Sequence, residues 1–412
     1  MTGDEPLMPN ETATLKHRSQ NLLDIIRKAN KTKAETDKTE LRTLNALVSR
    51  PLLKRTFGGN IQHFGSLNAI TMDKAFGAHY LLTLLTQSAL LKKILYPNNH
   101  THTLYCDRVI FDYFNYHGLF EAGFWDNVNF ETAEYVLNAQ NVDTDIYNSA
   151  VKPHALTLEA RLAKKTNAAV FFLDADLLLK KRHDIIMKDA EKKHAAFAHY
   201  EAAKGIYYPD LKSLRFPKGF ALPQNAKTRL PAVNTSLMFF NDLNLLEQWC
   251  NLFISFFTGN LFNTPPDNIT AMCHLLAADQ RTFPITADLN GYWGTEKIAP
   301  FMDIIWKDSR FFNADGTGAD WNYPNIEIDQ RRKTCLQDIM HTWISKKYTE
   351  RDFRYSAYQI CLMLEIISDV MPSAKKALDS FESLEPYRNL QTKYGCADNM
   401  LDAGVVSENL SV

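Results

Sequence analysis

The chain lacks most of the features that mark a specialised class. Its 412 residues carry 46 Lys and Arg against 47 Asp and Glu, a formal net charge of −1. Without an excess of either sign, nothing draws the whole chain to nucleic acid or to an acidic membrane. The 6 cysteines, at 106, 250, 273, 335, 361 and 396, are scattered and show neither CxxC nor a Cys/His zinc spacing. They read as reduced, mostly buried thiols of a cytosolic protein, not as a disulfide framework. No run is long and apolar enough to span a bilayer, and the opening MTGDEPLMPNETATLK has no signal-peptide core. Asn-x-Ser/Thr triplets such as Asn10-Glu-Thr therefore carry no weight, and the expected location is cytoplasmic.

What remains is ordinary soluble composition, 45% hydrophobic and 23% charged. A chain of this length holds one large α/β domain or two smaller ones around a substantial core.

Composition shifts near residue 57. The segment LKHRSQNLLDIIRKAN predicts an amphipathic helix, and KTELRTLNALVSR a second helix that stops at Pro51. Residues 1–60 are thus expected to form an N-terminal helical segment packed on the main domain, with peripheral membrane or partner contact as the other use of a basic helix.

From residue 65 the pattern alternates. GSLNAITM is a candidate strand and AHYLLTLLTQSALLKKIL a helix. HTLYCD is a second strand ending at Asp107, and RVIFDYFNYHGLFEAGFWD is helical or irregular. NVNFET is a third apolar piece, and TLEARLAKKT a helix feeding AAVFFLDAD. Strand–helix alternation predicts βαβ units on a mostly parallel sheet, and such sheets bind ligands at the carboxyl ends of their strands.

Asp174 and Asp176 stand at such an exit. Residues two apart on a strand project to one side, so the pair can offer two hard oxygen ligands, with small Ala175 between them, to Mg²⁺ or Mn²⁺. A bare Asp-x-Asp is common by chance and also suits a helix N-cap; the apolar strand before it favours the metal.

With FFLDAD in view the chain resembles the GT-A glycosyltransferases, most closely glycogenin and the bacterial lipopolysaccharide galactosyl- and glucosyltransferases. Three later pieces carry the same likeness. AVNTSLMFFND is similar to the family's Asn-containing strand, with Asn234 at the matching position. AADQRTF is similar to its Asp-Gln pair, Asp279 and Gln280. DIMHTWISKKY resembles the C-terminal H-x-x-G-x-x-K signature, with His341 and Lys347 in place and Ile344 where the family has Gly. The segment between FFLDAD and AVNTSLMFFND is long and includes a charged stretch expected to be helical, HDIIMKDAEKKHAAFAHYEAAKG (183–205). The pieces fall in order over residues 65–350, so the expected organisation is a GT-A domain over 61–350 and a C-terminal helix and polar tail over 351–412.

The resemblance implies a GT-A, Rossmann-like, mostly parallel sheet flanked by helices and a hexosyltransferase activity. The donor would be a UDP- or GDP-sugar, and the acceptor a glycan, lipid or protein. Asp174, Asp176 and His341 would hold Mn²⁺ or Mg²⁺, Lys347 would contact phosphate, and Asp279, Gln280 and Asn234 would face the reacting sugar. Asp73 and Asp107, at the ends of the first two expected strands, are candidates for base and ribose contacts. Lys164 and Lys165 read as solvated charges. Bland alternatives stand beside these: Asn234 also suits a strand start, and Asp279 also reads as a solvated residue after the apolar helix AMCHLLAA, against the helix dipole. Two other classes fit less well. A HAD-type phosphatase also places D-x-D after an apolar strand, but near the start of the chain. A non-catalytic protein on a transferase-like fold need not keep Asp174, Asp176 and His341 together.

Overall fold

A computed structural model describes residues 27, 40–47, 54–57, 60–63, 75–98, 100–139, 148–179, 193–201, 208–216, 220–258, 268–301, 339–341, 353–395 and 397. In chain order the strands are β1 (Leu41–Leu47), β2 (Lys54–Phe57), β3 (Asn60–His63), β4 (His100–Cys106), β5 (Asn127–Asn129) and β6 (Ala169–Leu173). They continue as β7 (Leu177–Leu179), β8 (Ala195–Tyr200), β9 (Val233–Phe240), β10 (Ile298–Pro300) and β11 (Ile339–His341). Seven form one sheet in the order β5-β4-β1-β6-β9-β8-β10, parallel except for β9. β2 with β3 and β7 with β11 make separate antiparallel pairs.

Helices cover both faces. One core packs α1 (Ala75–Leu90) and α2 (Phe353–Val370) against Ala169, Phe171 and Leu173 of β6. The other packs α3 (Val151–Thr166), α4 (Leu243–Phe257) and the helical stretch from Asn268 to Leu289 against Val170 and Phe172. β6 is buried along its whole length, which explains its unbroken apolar run: a central parallel strand has no solvent face on which to place polar residues. The protein is therefore mixed α/β, with a Rossmann-like, mostly parallel sheet between helical layers and a buried C-terminal helix.

Two expected helices are strands. KTELRTLNALVSR contains β1 at the centre of the sheet. Leu41, Leu44 and Leu47 mimic a helical stripe, but both faces of a central strand are buried, so its pattern loses the period of two. The charged stretch from 183 to 205 was expected to be helical, yet its AAFAHY portion is β8. Ala195, Ala196 and Ala198 are fully buried there, and tertiary packing overrides the helix propensity of alanine. GSLNAITM and LKHRSQNLLDIIRKAN lie outside the described residues, apart from Arg27. RVIFDYFNYHGLFEAGFWD forms the helices Arg108–Tyr116 and Leu119–Ala122, separated by Gly118 in a left-handed conformation (φ 73°). Cys106, Cys250 and Cys361 are free, buried thiols, and Cys273 is buried as well.

A polar chain crosses the core near the amino end of the sheet. Thr43 Oγ1 lies 2.6 Å from His100 Nε2 and 2.7 Å from His102 Nδ1. Ser88 Oγ lies 3.1 Å from His102 Nε2 and donates to the Leu84 carbonyl at 3.0 Å. Because Ser88 spends its proton on Leu84, it accepts from His102 Nε2–H, which leaves Nδ1 as acceptor for the Thr43 hydroxyl. Thr43 in turn accepts from His100 Nε2–H. Every proton in this chain is accounted for with His102 neutral.

Candidate functional site

The strand order reverses between β1 and β6: the chain builds outward to β4 and β5 on one side and to β9, β8 and β10 on the other. The carboxyl ends of β1 and β6 therefore flank a switch point, where open α/β sheets leave a ligand crevice. Asp174 is the residue at the end of β6. The two aspartates do not lie on a strand as expected: β6 ends at Leu173, and Asp174 to Asp176 form a turn into β7.

On its other edge β9 changes register against β8 beside this turn. Phe197 faces Met238, but His199 faces Asn234, so a bulge falls within residues 235–237. Bulges end pairing and re-aim side chains, often beside functional sites. Across it the Asp174 N–H donates to the Ser236 carbonyl at 2.7 Å.

Two buried amides fix the turn from the other side. Gln87 Nε2, from α1, donates to the Leu177 carbonyl at 2.6 Å and to that of Asp174 at 3.4 Å. Its Oε1 accepts from Asn45 Nδ2 of β1 at 2.8 Å, and Asn45 also donates to the Leu173 carbonyl at 2.7 Å. The turn backbone is thus set by β1, α1 and β9 together. Asp176 is 6% exposed and Asp174 half-buried. Tyr80, two turns before Gln87 on α1, has its phenol pushed well above its ordinary pKa by burial and by the charges of Asp176 and Asp174. It stays protonated within electrostatic reach of both carboxylates.

β11 pairs antiparallel with β7, setting His341 opposite Leu177, the residue after Asp176. Residues more than 160 positions apart in sequence thus share one backbone neighbourhood. Among the described residues no group of three His, Cys, Asp or Glu side chains forms a metal-binding cluster; the His341 side chain lies outside that description. Lys347 and Asp73 lie outside the described residues.

The second cluster surrounds the start of β9. Asn234 donates to Glu201 Oε1 at 2.8 Å, and its Oδ1 accepts from the Ser236 N–H at 3.0 Å. Asp279 Oδ1 accepts from Thr235 Oγ1 at 2.8 Å and from Lys152 Nζ at 3.0 Å. The Lys152 side chain is 4% exposed and that of Asp279 18%. Lys152 also donates to the Thr235 carbonyl at 2.8 Å, and its ammonium lies 4.5 Å over the Phe172 ring. Gln280 Oε1 accepts from Tyr208 Oη at 2.7 Å. The structure brings Asn234, Asp279 and Gln280 around one strand end, but Asn234 faces Glu201 while Asp279 faces Lys152.

Asp279 does not follow a helix end, as its sequence suggests. Asn268–Leu276 continues through a π-turn, Ala277–Arg281, into Thr282–Leu289, and such turns recur at functional positions. Asp107 proves to be a helix cap: it is 2% exposed and accepts from the Ile110 N–H at 3.0 Å. Lys164 pairs with Glu247 at 2.7 Å near the opposite end of α4 and does not join the site.

Sequence reasoning missed Lys152, Glu201, Tyr80 and the Asn45–Gln87 clamp. Lys152 carried a readable signal, since a cation in the first turn of a helix opposes the dipole.

No family model matches the chain, and no curated protein matches it. Among solved structures, mouse xyloside xylosyltransferase 1 in its apo form is similar at 12% identity and a TM-score of 0.29, covering 59% of this chain and 83% of that one. A likeness of this size carries no argument about activity.

Proposed function

We propose that the protein is a metal-dependent glycosyltransferase of the GT-A type, moving a hexosyl unit from a UDP- or GDP-sugar to a glycan, lipid or protein acceptor. The observation that carries this reading is the β7–β11 pairing, which sets the His341 backbone beside the Asp174–Asp176 turn at the switch point of the sheet. Two carboxylates and an imidazole are a donor set suited to Mn²⁺, and the carboxylates alone to Mg²⁺. Asp174, Asp176 and His341 would hold such an ion, which supplies Lewis-acid stabilisation of a diphosphate leaving group.

The chain's own groups do the rest. Tyr80, kept protonated near both carboxylates, would serve as a donor at the same turn. Lys347 would add positive charge where the leaving group develops negative charge. Lys152 holds Asp279 oriented through a buried ion pair, so that its second oxygen can bind a sugar hydroxyl or steady positive charge at the anomeric carbon. Gln280 and Asn234 position hydroxyls, each fixed by its own partner, Tyr208 and Glu201.

The test is a Mn²⁺ titration with UDP and GDP beside melting curves, for the wild type and His341→Ala. A ligand histidine predicts nucleotide binding that needs Mn²⁺ and weakens about tenfold or more in the variant, with ligand-free melting almost unchanged. Unchanged metal affinity with a lowered melting point would make His341 structural and remove this reading.

A further inference from the structure

The segment between β8 and β9 stands apart in charge. In a chain of net charge −1, residues 208–232 carry Lys212, Arg215, Lys218, Lys227 and Arg229 against Asp210 alone. Solvated faces usually mix signs, so a one-signed segment points to a counter-charge elsewhere.

This segment is fastened to the site. Tyr208 donates to Gln280, and the Arg281 guanidinium donates to the carbonyls of Pro209 and, at 2.6 Å, Thr228. One buried cation thereby closes the base of the segment next to Asp279 and Gln280. Leu211 is buried, and Phe216 and Phe220 pack on Phe256 in the last turn of α4. That turn lies at the same end of the molecule as Lys152, since His154, one turn into α3, has its ring against Phe257.

Its cations differ in their partners. Lys227 pairs with Asp288 at 2.7 Å and Arg229 with Asp210 at 2.9 Å. Lys212 and Arg215 are exposed, and among the described residues their side chains meet no carboxylate. Lys212 lies within the short turn Leu211–Ser213 and Arg215 just after it, an ammonium and a guanidinium three residues apart on a fixed backbone. A guanidinium suits bidentate recognition of phosphate or carboxylate, and an ammonium adds a point charge.

We infer that the acceptor is a sugar bearing an anionic group, phosphate or carboxylate, which Lys212 and Arg215 bind beside Asp279. The inference rests on the transferase reading above. Both side chains are exposed, so a change of charge leaves the fold intact.

The experiment measures binding of matched methyl hexosides, neutral, 6-phosphorylated or oxidised to the hexuronic acid. The protein is first saturated with nucleoside diphosphate and Mn²⁺, so that the donor pocket is filled; inorganic phosphate serves as competitor. Expected for the wild type is at least tenfold tighter binding of an anionic sugar than of its neutral partner, weakening with salt, with inorganic phosphate a poor competitor. In Lys212→Glu/Arg215→Glu that preference disappears while nucleotide binding is unchanged. Equal binding of neutral and anionic sugars, no binding of either at millimolar concentration, displacement by phosphate alone, or a preference that survives the double variant would overturn the inference. A protein that binds no nucleoside diphosphate with Mn²⁺ loses the transferase reading first, and the inference with it.

Discussion

The two ends of the sheet handle buried polar groups in opposite ways. At the amino end, Thr43, His100, His102 and Ser88 form a neutral chain in which each proton has one acceptor. At the carboxyl end, Asp174, Asp176, Asp279, Glu201 and Lys152 are held in fixed positions by amides, hydroxyls and backbone. The same two elements serve both: β1 supplies Thr43 and Asn45, and α1 supplies Ser88 and Gln87. A closed neutral network contributes only stability, because nothing is left over to bind. Ionisable groups oriented at a strand exit retain capacity for chemistry, and their positioning costs part of the stability supplied elsewhere.

The sharpest way to break this contrast is to remove the scaffold common to both ends. A chain ending at residue 350 loses Ile360, Cys361, Met363 and Ile367 from the core that carries α1. Insoluble protein is expected on expression; a soluble, nucleotide-binding product would show that α2 is dispensable.

Next in size is Asp176→Asn. If the carboxyl end is functional, Mn²⁺-dependent nucleotide binding and turnover fall by a hundredfold or more while the melting point changes little. Wild-type transfer in the presence of EDTA would contradict the metal reading outright.

Lys152→Met tests whether the second carboxyl-end cluster is more costly to disturb than the amino end. Breaking a buried ion pair by removing one partner costs about 3–5 kcal/mol, and Asp279, being partly exposed, brings the expected loss toward the lower figure. Urea unfolding measures it. Turnover should fall further than Asp279 burial alone explains, because the carboxylate loses its orientation.

The amino end gives a smaller effect with a defined pH window. Burial drives the His100 pKa down to about 4, opposed by Asp126 and aided by Lys92, and drives His102 well below its usual value. In the unfolded chain both imidazoles titrate near 6.5, so on acidification the unfolded state takes up protons first. Stability is therefore full above pH 6.5 and declines as pH falls toward about 4. His102→Gln should flatten that decline in pH-dependent melts, and an unaltered slope would mean the network does not set it. Thr43→Val, which orphans two imidazole nitrogens, should cost about 1–3 kcal/mol at neutral pH. Smallest of all is Arg108→Ala, which removes an exposed pair with Asp112 and the guanidinium's contacts with the Phe111 and Phe130 rings and should cost about 1 kcal/mol or less.

What could be read in the sequence follows from which forces act locally. β6 and its aspartates, α1 and α2 were legible because long apolar runs leave few alternatives. β1 and β8 were not, since strands buried on both faces have no alternation and Ala-rich segments favour helix until neighbours press on them. Asp279 was legible as an oddity against the helix dipole, although the π-turn that holds it was not. The same test applied to Lys152 would have found its partner. Asp107 also had a local reading that went unused: a strand-end aspartate followed by a helix serves as its cap. The Asn45–Gln87 clamp joins positions 42 apart, and no local pattern marks it.

That clamp has a consequence for how the molecule opens. The amide of Asp174 is bonded to Ser236 of β9, while the carbonyls on either side of the turn are bonded from β1 and α1. Its proton reaches solvent when the bond to Ser236 opens, and the amides of Asn45 on β1 and Gln87 on α1 hold the turn against that opening. In hydrogen–deuterium exchange this single amide should therefore be as slow as the slowest in the sheet centre, although it belongs to a turn beside the crevice. The turn will behave as the last part of the fold to come apart, so the protein cannot lose its candidate metal site by local fraying without losing its sheet as well.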